Sequence, residues 1–286
     1  MRHGPAVRRR KLGAELRTLR AQAGLTSGEA ARLVGWHQSK VSRIETGTSG
    51  SKPADVRLLL DAYGVTDPQL RELMLALADP EVGGGRDHWW HAYRGVLPPA
   101  YRDFISLESQ AGAMRTLETT VVPGLLQTPE YARAVTGAAV EGLDEEQLDT
   151  LVEVRLARQD VLRAQPPLEL SAVLDESVLR REVGGPEVMV RQLLRLVEAS
   201  RMPQVSLQVL PFTAGAHIGV TGPFVIFSFS RTSDLDVVVL DHLTSSLYLE
   251  RKEDLQAYAQ AFNALRAHAL SPGESSDYIA AMACGA

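Results

Sequence analysis

GWHQSKVSRIETG, residues 35–47, decides how the first part of this chain is read. A glycine precedes a large aromatic, four polar residues follow, and Val41 and Ile44 fall three apart before a second glycine at position 47. Apolar residues at i and i+3 put one buried face on a short helix. The outward face then carries Gln38, Ser39, Lys40 and Arg43. Such a helix is either an ordinary solvated element or one whose polar face meets a polar partner.

The flanking sequence sets this helix among others. Leu12, Leu16 and Leu19 recur at i, i+4 and i+7, and Ala23 extends the stripe, which predicts a helix over about 8–22. Gly24 suits a left-handed cap. Thr26-Ser27-Gly28-Glu29 has the spacing of a capping box and opens a second short helix, with Ala30, Leu33 and Val34 inward. Gly35 makes a turn into a third helix over about 37–45, and Gly47 stops it. Pro53 suits the first turn of a fourth helix that buries Val56, Leu59 and Leu60, and a fifth follows over about 68–77. Two short helices joined by a brief glycine-containing turn are the helix-turn-helix arrangement.

Charge points the same way. The net charge of −5 conceals twelve Lys or Arg against four acids in residues 1–60, a balance of +8 that leaves −13 for residues 61–286. A basic head on an acidic body suits a head that meets a polyanion while the body stays clear of it. The chain has one cysteine, Cys284, so an internal disulfide and a cysteine-rich zinc site are excluded. No apolar run reaches the roughly 18 residues of a membrane-spanning helix, and the basic amino end leads into no apolar stretch, so a cytoplasmic, nucleoid-associated protein is expected.

The pieces Leu19-Arg20, Leu25-Thr26, Glu29-Ala30-Ala31, Leu33-Val34-Gly35, Gln38-Ser39, Val41–Glu45 and Gly47 resemble the Cro/repressor-type (XRE) helix-turn-helix family. The resemblance implies an ion pair between Arg20 and Glu45. It also implies base contacts from Gln38, Ser39 and Arg43: Gln pairs with adenine and Arg with guanine through two hydrogen bonds, and Ser is permissive. Thr26, Ser27, His37, Lys40 and Lys52 are the expected phosphate contacts. His37 departs from the family, which places Ser or Thr at this cap, and Ser27 stands where a Gln is common. Trp36 is expected to pack beneath the turn.

Asp79-Pro80-Glu81-Val82-Gly83-Gly84-Gly85 reads as the linker, placed at 79–86 between a head of residues 1–78 and a body of 87–270. In the body, helical patterns run near 87–110, 128–136, 144–164, 185–201 and 252–269. Strand-like runs lie at 168–174, 204–210, 223–230, 236–241 and 246–250. The last three favour an antiparallel meander, so the expected class is an all-α head of five short helices followed by an α+β domain with a mainly antiparallel sheet. Residues 271–286 are expected to be a partly ordered tail.

The blocks Val122–Thr128, Tyr131-Ala132, Leu174-Asp175-Glu176, Val183–Pro186, Val209–Phe212, Gly215-Ala216-His217 and Gly222-Pro223-Phe224 resemble the DUF5753 domain, which follows an XRE head in Scr1-like, antitoxin-type regulators. The resemblance implies a transcriptional regulator bound to a double-stranded DNA operator, often encoded beside a small DUF397-type partner protein. A homodimer is expected, with a body that dimerises, docks that partner, or both. The alternatives are a body that senses a small effector, and an interaction module that binds no DNA.

No catalytic constellation emerges. Asp175-Glu176 reads as a helix start, His88 and His91 lack a third ligand, and His217 and His242 lack a nucleophile. Neither a P-loop, a Gly-x-Ser-x-Gly elbow nor a dinucleotide fingerprint is present. No enzyme activity, cofactor or metal is expected.

Overall fold

The computed structural model describes residues 4–78, 89–93, 96–140, 142–229, 236–243 and 245–285. The head is five helices: α1 (Gly4–Gln22), α2 (Ser27–Leu33), α3 (Gln38–Glu45), α4 (Pro53–Ala62) and α5 (Pro68–Ala78). Its core is the set the spacing picked out, with Leu12, Leu16, Leu19, Val41, Ile44, Val56, Leu59 and Leu60 all buried. Two expectations are corrected. Leu33 is 62 % exposed, because Ala30, Ala31 and Val34 form the inward arc and Leu33 lies about 100° round the helix from it. Ala23 lies beyond the end of α1 and is exposed.

Gly13 sets how closely α1 crosses α3. A Cβ there would collide with the carbonyl oxygen of Ile44 and lie 2.6 Å from that of Glu45. The close approach brings α1 onto the last turn of α3, and every larger side chain at position 13 would force the two apart.

In the body, the helix expected over 87–110 is two elements, a 3-10 turn at Trp89–Tyr93 and α6 (Pro99–Gln110). Pro98 and Pro99 begin the second one afresh. Then follow β1 (Ala113–Glu118), α7 (Pro129–Ala139), α8 (Glu145–Ala157), β2 (Glu169–Asp175), α9 (Glu176–Arg180), α10 (Pro186–Ala199) and β3 (Val205–Leu210). The chain ends with β4 (Phe224–Ser228), β5 (Val237–His242), β6 (Ser245–Leu249), α11 (Lys252–His268) and α12 (Pro272–Gly285). The helix expected over 144–164 changes to a 3-10 turn at Arg158–Leu162. The expected linker, 79–86, and His88 lie outside the described residues.

The sheet runs β3-β2-β1-β4-β5-β6. β1 pairs with β2 and β2 with β3 in parallel, whereas β4, β5 and β6 form an antiparallel meander joined to β1. The meander was expected; a mainly antiparallel sheet was not the outcome, and the sheet is mixed. Its central strand, Ala113-Met-Arg-Thr-Leu-Glu118, was not foreseen, because it holds one β-branched residue and two charges. Both faces of the sheet are covered. Met114, Leu170, Ala172, Leu207, Phe227 and Val239 face a core shared with α10 and α12, and Leu117, Val173, Ile226 and Val238 face α11 through Phe262 and Leu265.

The expected tail is instead α12, packed on α10 and β3. Ser271 and Glu274 close a capping box, with Glu274 Oε2 accepting from the Ser271 amide at 2.9 Å, and Ile279 and Ala283 are buried. The segment also covers the open edge of β3. The Val209 amide donates to Ser275 Oγ at 2.9 Å, and the Val209 carbonyl accepts from the Leu270 amide at 2.9 Å. An uncovered edge would offer these groups to another strand. Ser275→Ala leaves a buried amide without its acceptor and should cost about 1–3 kcal/mol, read as a lower urea midpoint with an unchanged slope.

Candidate nucleic-acid interface and body cavity

The head positions its polar face through one ion pair. Arg20 Nε donates to Glu45 Oε1 at 2.7 Å and Nη2 to Oε2 at 3.0 Å, while Nη1 donates to the Leu25 carbonyl at 2.6 Å. The Tyr63 hydroxyl, at the end of α4, donates to Glu45 Oε1 at 3.4 Å. One guanidinium therefore joins α1, the entry to α2 and the end of α3. The hydrogen bond to Glu45 raises the Arg20 pKa above its ordinary value against the opposing effect of burial. Burial first, and then the charge of Glu45, push Tyr63 up as well, so it stays a neutral donor.

Several of the expected contact residues lie on the outside of this frame. Thr26 caps α2 in a complete capping box: its hydroxyl accepts from the Glu29 amide at 3.2 Å and Glu29 Oε2 accepts from the Thr26 amide at 2.8 Å. Hydrogen bonds from the Thr26 side chain and backbone hold Glu29 below the usual carboxylate range. Gln38 Nε2 donates to Ser27 Oγ at 2.9 Å, so the starts of α2 and α3 are tied into one exposed polar surface. Ser39 and Arg43, one turn apart on α3, are exposed beside it. His37 is the N-cap of α3 but makes no side-chain cap bond, as its departure from Ser or Thr suggests. Lys52 is exposed at the start of α4.

Lys40 is placed differently from its expected role. Its Nζ lies 3.0 Å from Asp55 Oδ1 and 3.6 Å from the centroid of the Trp36 ring. Trp36 is half-buried against the head core, as expected, and its outer face carries this cation. The acid partner Asp55 was not foreseen. Asp55 sits in the next helix, fifteen residues on, and no local pattern signals the pairing.

A second polar site lies in the body, where sequence reading found none. A cavity of about 490 Å³ opens beyond the carboxyl ends of β1 and β5 and the amino ends of β4 and β6. Arg158, in its lining, belongs to a buried ion pair. Arg158 donates from Nε and Nη2 to the two Glu108 oxygens at 2.8 Å each, and from Nη1 to the Tyr101 hydroxyl at 2.7 Å. Burial opposes the charge, but Glu108 and Tyr101 outweigh it and hold the guanidinium above its ordinary value. Arg155 also lines the cavity, and among the described residues its one hydrogen bond is from Nη1 to Gln127 Oε1 at 3.4 Å. Burial lowers its pKa from the ordinary arginine value, and the neighbouring Arg158 adds to this.

Glu118, the last residue of β1, accepts from the Thr116 hydroxyl at 3.1 Å and forms no ion pair with either arginine. Burial, then the charge of Asp241, pushes its pKa up to about 7 against the pull of Thr116, Arg158 and Arg155. Asp175, read as a helix start, is one: its side chain accepts from the Ser177 amide at 2.9 Å. No group of three or more potential metal ligands occurs among the described residues, and no described helix is long and apolar enough to cross a membrane.

Two outcomes test this geometry. Removing either partner of the Arg20–Glu45 pair, 13 % and 5 % exposed, strands a buried charge and should cost roughly 3–5 kcal/mol, seen as lost hydrogen-exchange protection in α3. A loss under about 1 kcal/mol would mean the pair is solvated. Glu118 binds its proton more tightly when folded, so its stabilising effect is complete below its ordinary pKa of 4.5 and is lost as pH rises through about 7. Glu118→Gln should therefore gain on the order of 2 kcal/mol over the wild type between pH 4.5 and pH 8, measured by denaturant unfolding at each pH.

Comparison with known families follows this division. A model described as a helix-turn-helix domain matches residues 11–73, which span α1 to α5. A model described as a domain of unknown function, DUF5753, matches residues 101–281, which begin in α6 and end in α12. No curated protein and no solved structure matches the chain. The second match covers more than half of the sequence, and the chain belongs to the DUF5753 family, with a helix-turn-helix domain ahead of its body.

Proposed function

We propose that this protein is a sequence-specific, DNA-binding transcriptional regulator of the XRE type, acting in the cytoplasm and without enzymatic activity. The observation that carries the reading is the outward face of the head. Gln38 is tied to Ser27, Ser39 and Arg43 are exposed beside them, and the Arg20–Glu45 pair holds the whole at a fixed angle. Gln38, Ser39 and Arg43 read base edges in the major groove, entered by the amino end of α3. Thr26, Ser27, His37 and Lys52 contact phosphates. Lys40 buttresses Trp36 and Asp55, and it reaches a phosphate only by leaving Asp55.

The body is read as the part that dimerises, docks a small DUF397-type partner in antitoxin fashion, or both. Exposed apolar residues support a docking role: Phe212, Ile218 and Val220 are 58 %, 50 % and 77 % exposed within nine residues of one another. In a dimer, two heads address half-sites about 34 Å apart. The acidic body, against the basic head, keeps the duplex to one end of the molecule.

The test is genome-wide recovery of bound DNA followed by binding to the recovered site. Arg43→Ala should lose about 1–3 kcal/mol on that site and little on random DNA, whereas Lys52→Ala should weaken both alike and flatten the salt dependence. Equal losses on both DNAs for Arg43→Ala would remove the base-reading role, and no enriched site at all would remove the regulator reading.

A further inference from the structure

The body cavity has a charge pattern that structural needs leave unexplained. Arg158 is fully engaged by Glu108 and Tyr101, which makes it part of the frame. Arg155, three residues earlier, faces the same space with only a long hydrogen bond to Gln127. Glu118 at the end of β1 and Asp241 near the end of β5 line the same cavity, neither in an ion pair with Arg155 or Arg158. A cation and two carboxylates thus line one space without a direct ion pair, although Arg155 is near enough to pull the Glu118 pKa down. Asp241 is exposed, but Arg155 and Glu118 are half-buried, and half-buried charges that do not pair directly are costly to hold in a mere packing defect. An arginine held open in a recess is suited to a planar anion such as a carboxylate.

The rest of the lining is mixed: Tyr101, Phe104, Val239 and Phe224 supply apolar and aromatic surface, and Thr116, Gln127 and His242 supply polar groups. A volume of about 490 Å³ lies within the range of about 300–1,000 Å³ typical of small-molecule sites, and apolar surface is combined here with charged and polar groups that can orient a ligand. It lies at the carboxyl end of β1, the strand with a parallel neighbour on one side and an antiparallel one on the other, and such a change of strand direction is where open sheets leave a crevice.

We propose that this cavity binds a small amphoteric molecule, one carrying a carboxylate and a basic nitrogen on a partly apolar body. The carboxylate meets Arg155, the protonated nitrogen meets Glu118 and Asp241, and the apolar portion lies against Tyr101 and Phe104. The ligand completes both halves of the unmatched charge at once, which neither a simple acid nor a simple amine would do. The site uses none of the residues assigned to DNA, and its occupancy is measurable with no DNA present.

The experiment uses the full chain and a panel of aromatic amino acids and dipeptides, each alongside its N-acetylated and C-amidated forms. Binding is read by saturation-transfer NMR and by the shift in unfolding midpoint, since a ligand that binds only the folded state raises it. Binding by free zwitterions, weakened at least tenfold by either blocking group and by Arg155→Met or Glu118→Gln, is the expected result. Circular dichroism of both variants, and retained DNA binding where the wild type binds DNA, shows that the loss is local. Absence of binding by every zwitterion, equal binding by the blocked forms, or binding unchanged in both variants would overturn the proposal.

Discussion

The guanidinium of Arg158 is withdrawn from water and given the two oxygens of Glu108, the hydroxyl of Tyr101 and the ring of Phe104 at 5.1 Å. Glu108, Tyr101 and Phe104 all belong to α6, and Arg158 begins the 3-10 turn that follows α8. The pair therefore clamps α6 onto the crossover between β1 and β2. Leaving either charge alone would cost several kcal/mol, so the two elements move together or not at all. The consequence reaches outward in two directions. α6 walls the cavity through Tyr101 and Phe104, and α6 and β6 are the body elements against which α1 of the head rests. The Tyr248 hydroxyl of β6, donating to the Ala100 carbonyl at 3.4 Å, ties those two supports to each other.

The head solves the same problem on a smaller scale. α2 and α3 hold seven and eight residues, too short to be stable helices on their own. Their geometry is imposed from outside, by the close crossing of α1 at Gly13 and by Arg20 reaching the entry to α2 and the end of α3. For the base-reading role proposed above, fixed helices matter more than stable ones. A bidentate contact to a base edge is lost over a displacement of an ångström or so. A charged tether that determines an angle is suited to that purpose, and apolar packing alone at these helix lengths would allow sliding.

Much of the head was legible because its signals are local. Helical spacing, a capping box and glycines at turns all act within a few residues, and they placed the five helices and the inward residues except Leu33 and Ala23. Leu33 failed because a seven-residue helix has room for only a narrow buried arc, and two alanines occupied it. In the body, strands bounded by turns were readable, but β1 was not. Its pairing with β2 and β4 comes from residues fifty or more positions away, and its own composition carries little β preference. The tail was misread for a related reason. Its stretch of small residues shows its purpose only against the edge of β3, where Ser275 satisfies Val209.

The same distinction separates the two sites. The polar face of α3 follows from sequence alone, because one helix fixes which of its side chains point outward once its buried residues are known. The ion pair that orients it was also foreseen, by family resemblance and not by periodicity. The cavity could be seen only in three dimensions. Arg155, Glu118 and Asp241 stand on three different elements, separated in sequence by 37 and 86 residues, and no spacing rule links them. Short-range interactions write themselves into short stretches of sequence; a charge pattern assembled by sheet order exists only after the strands have paired.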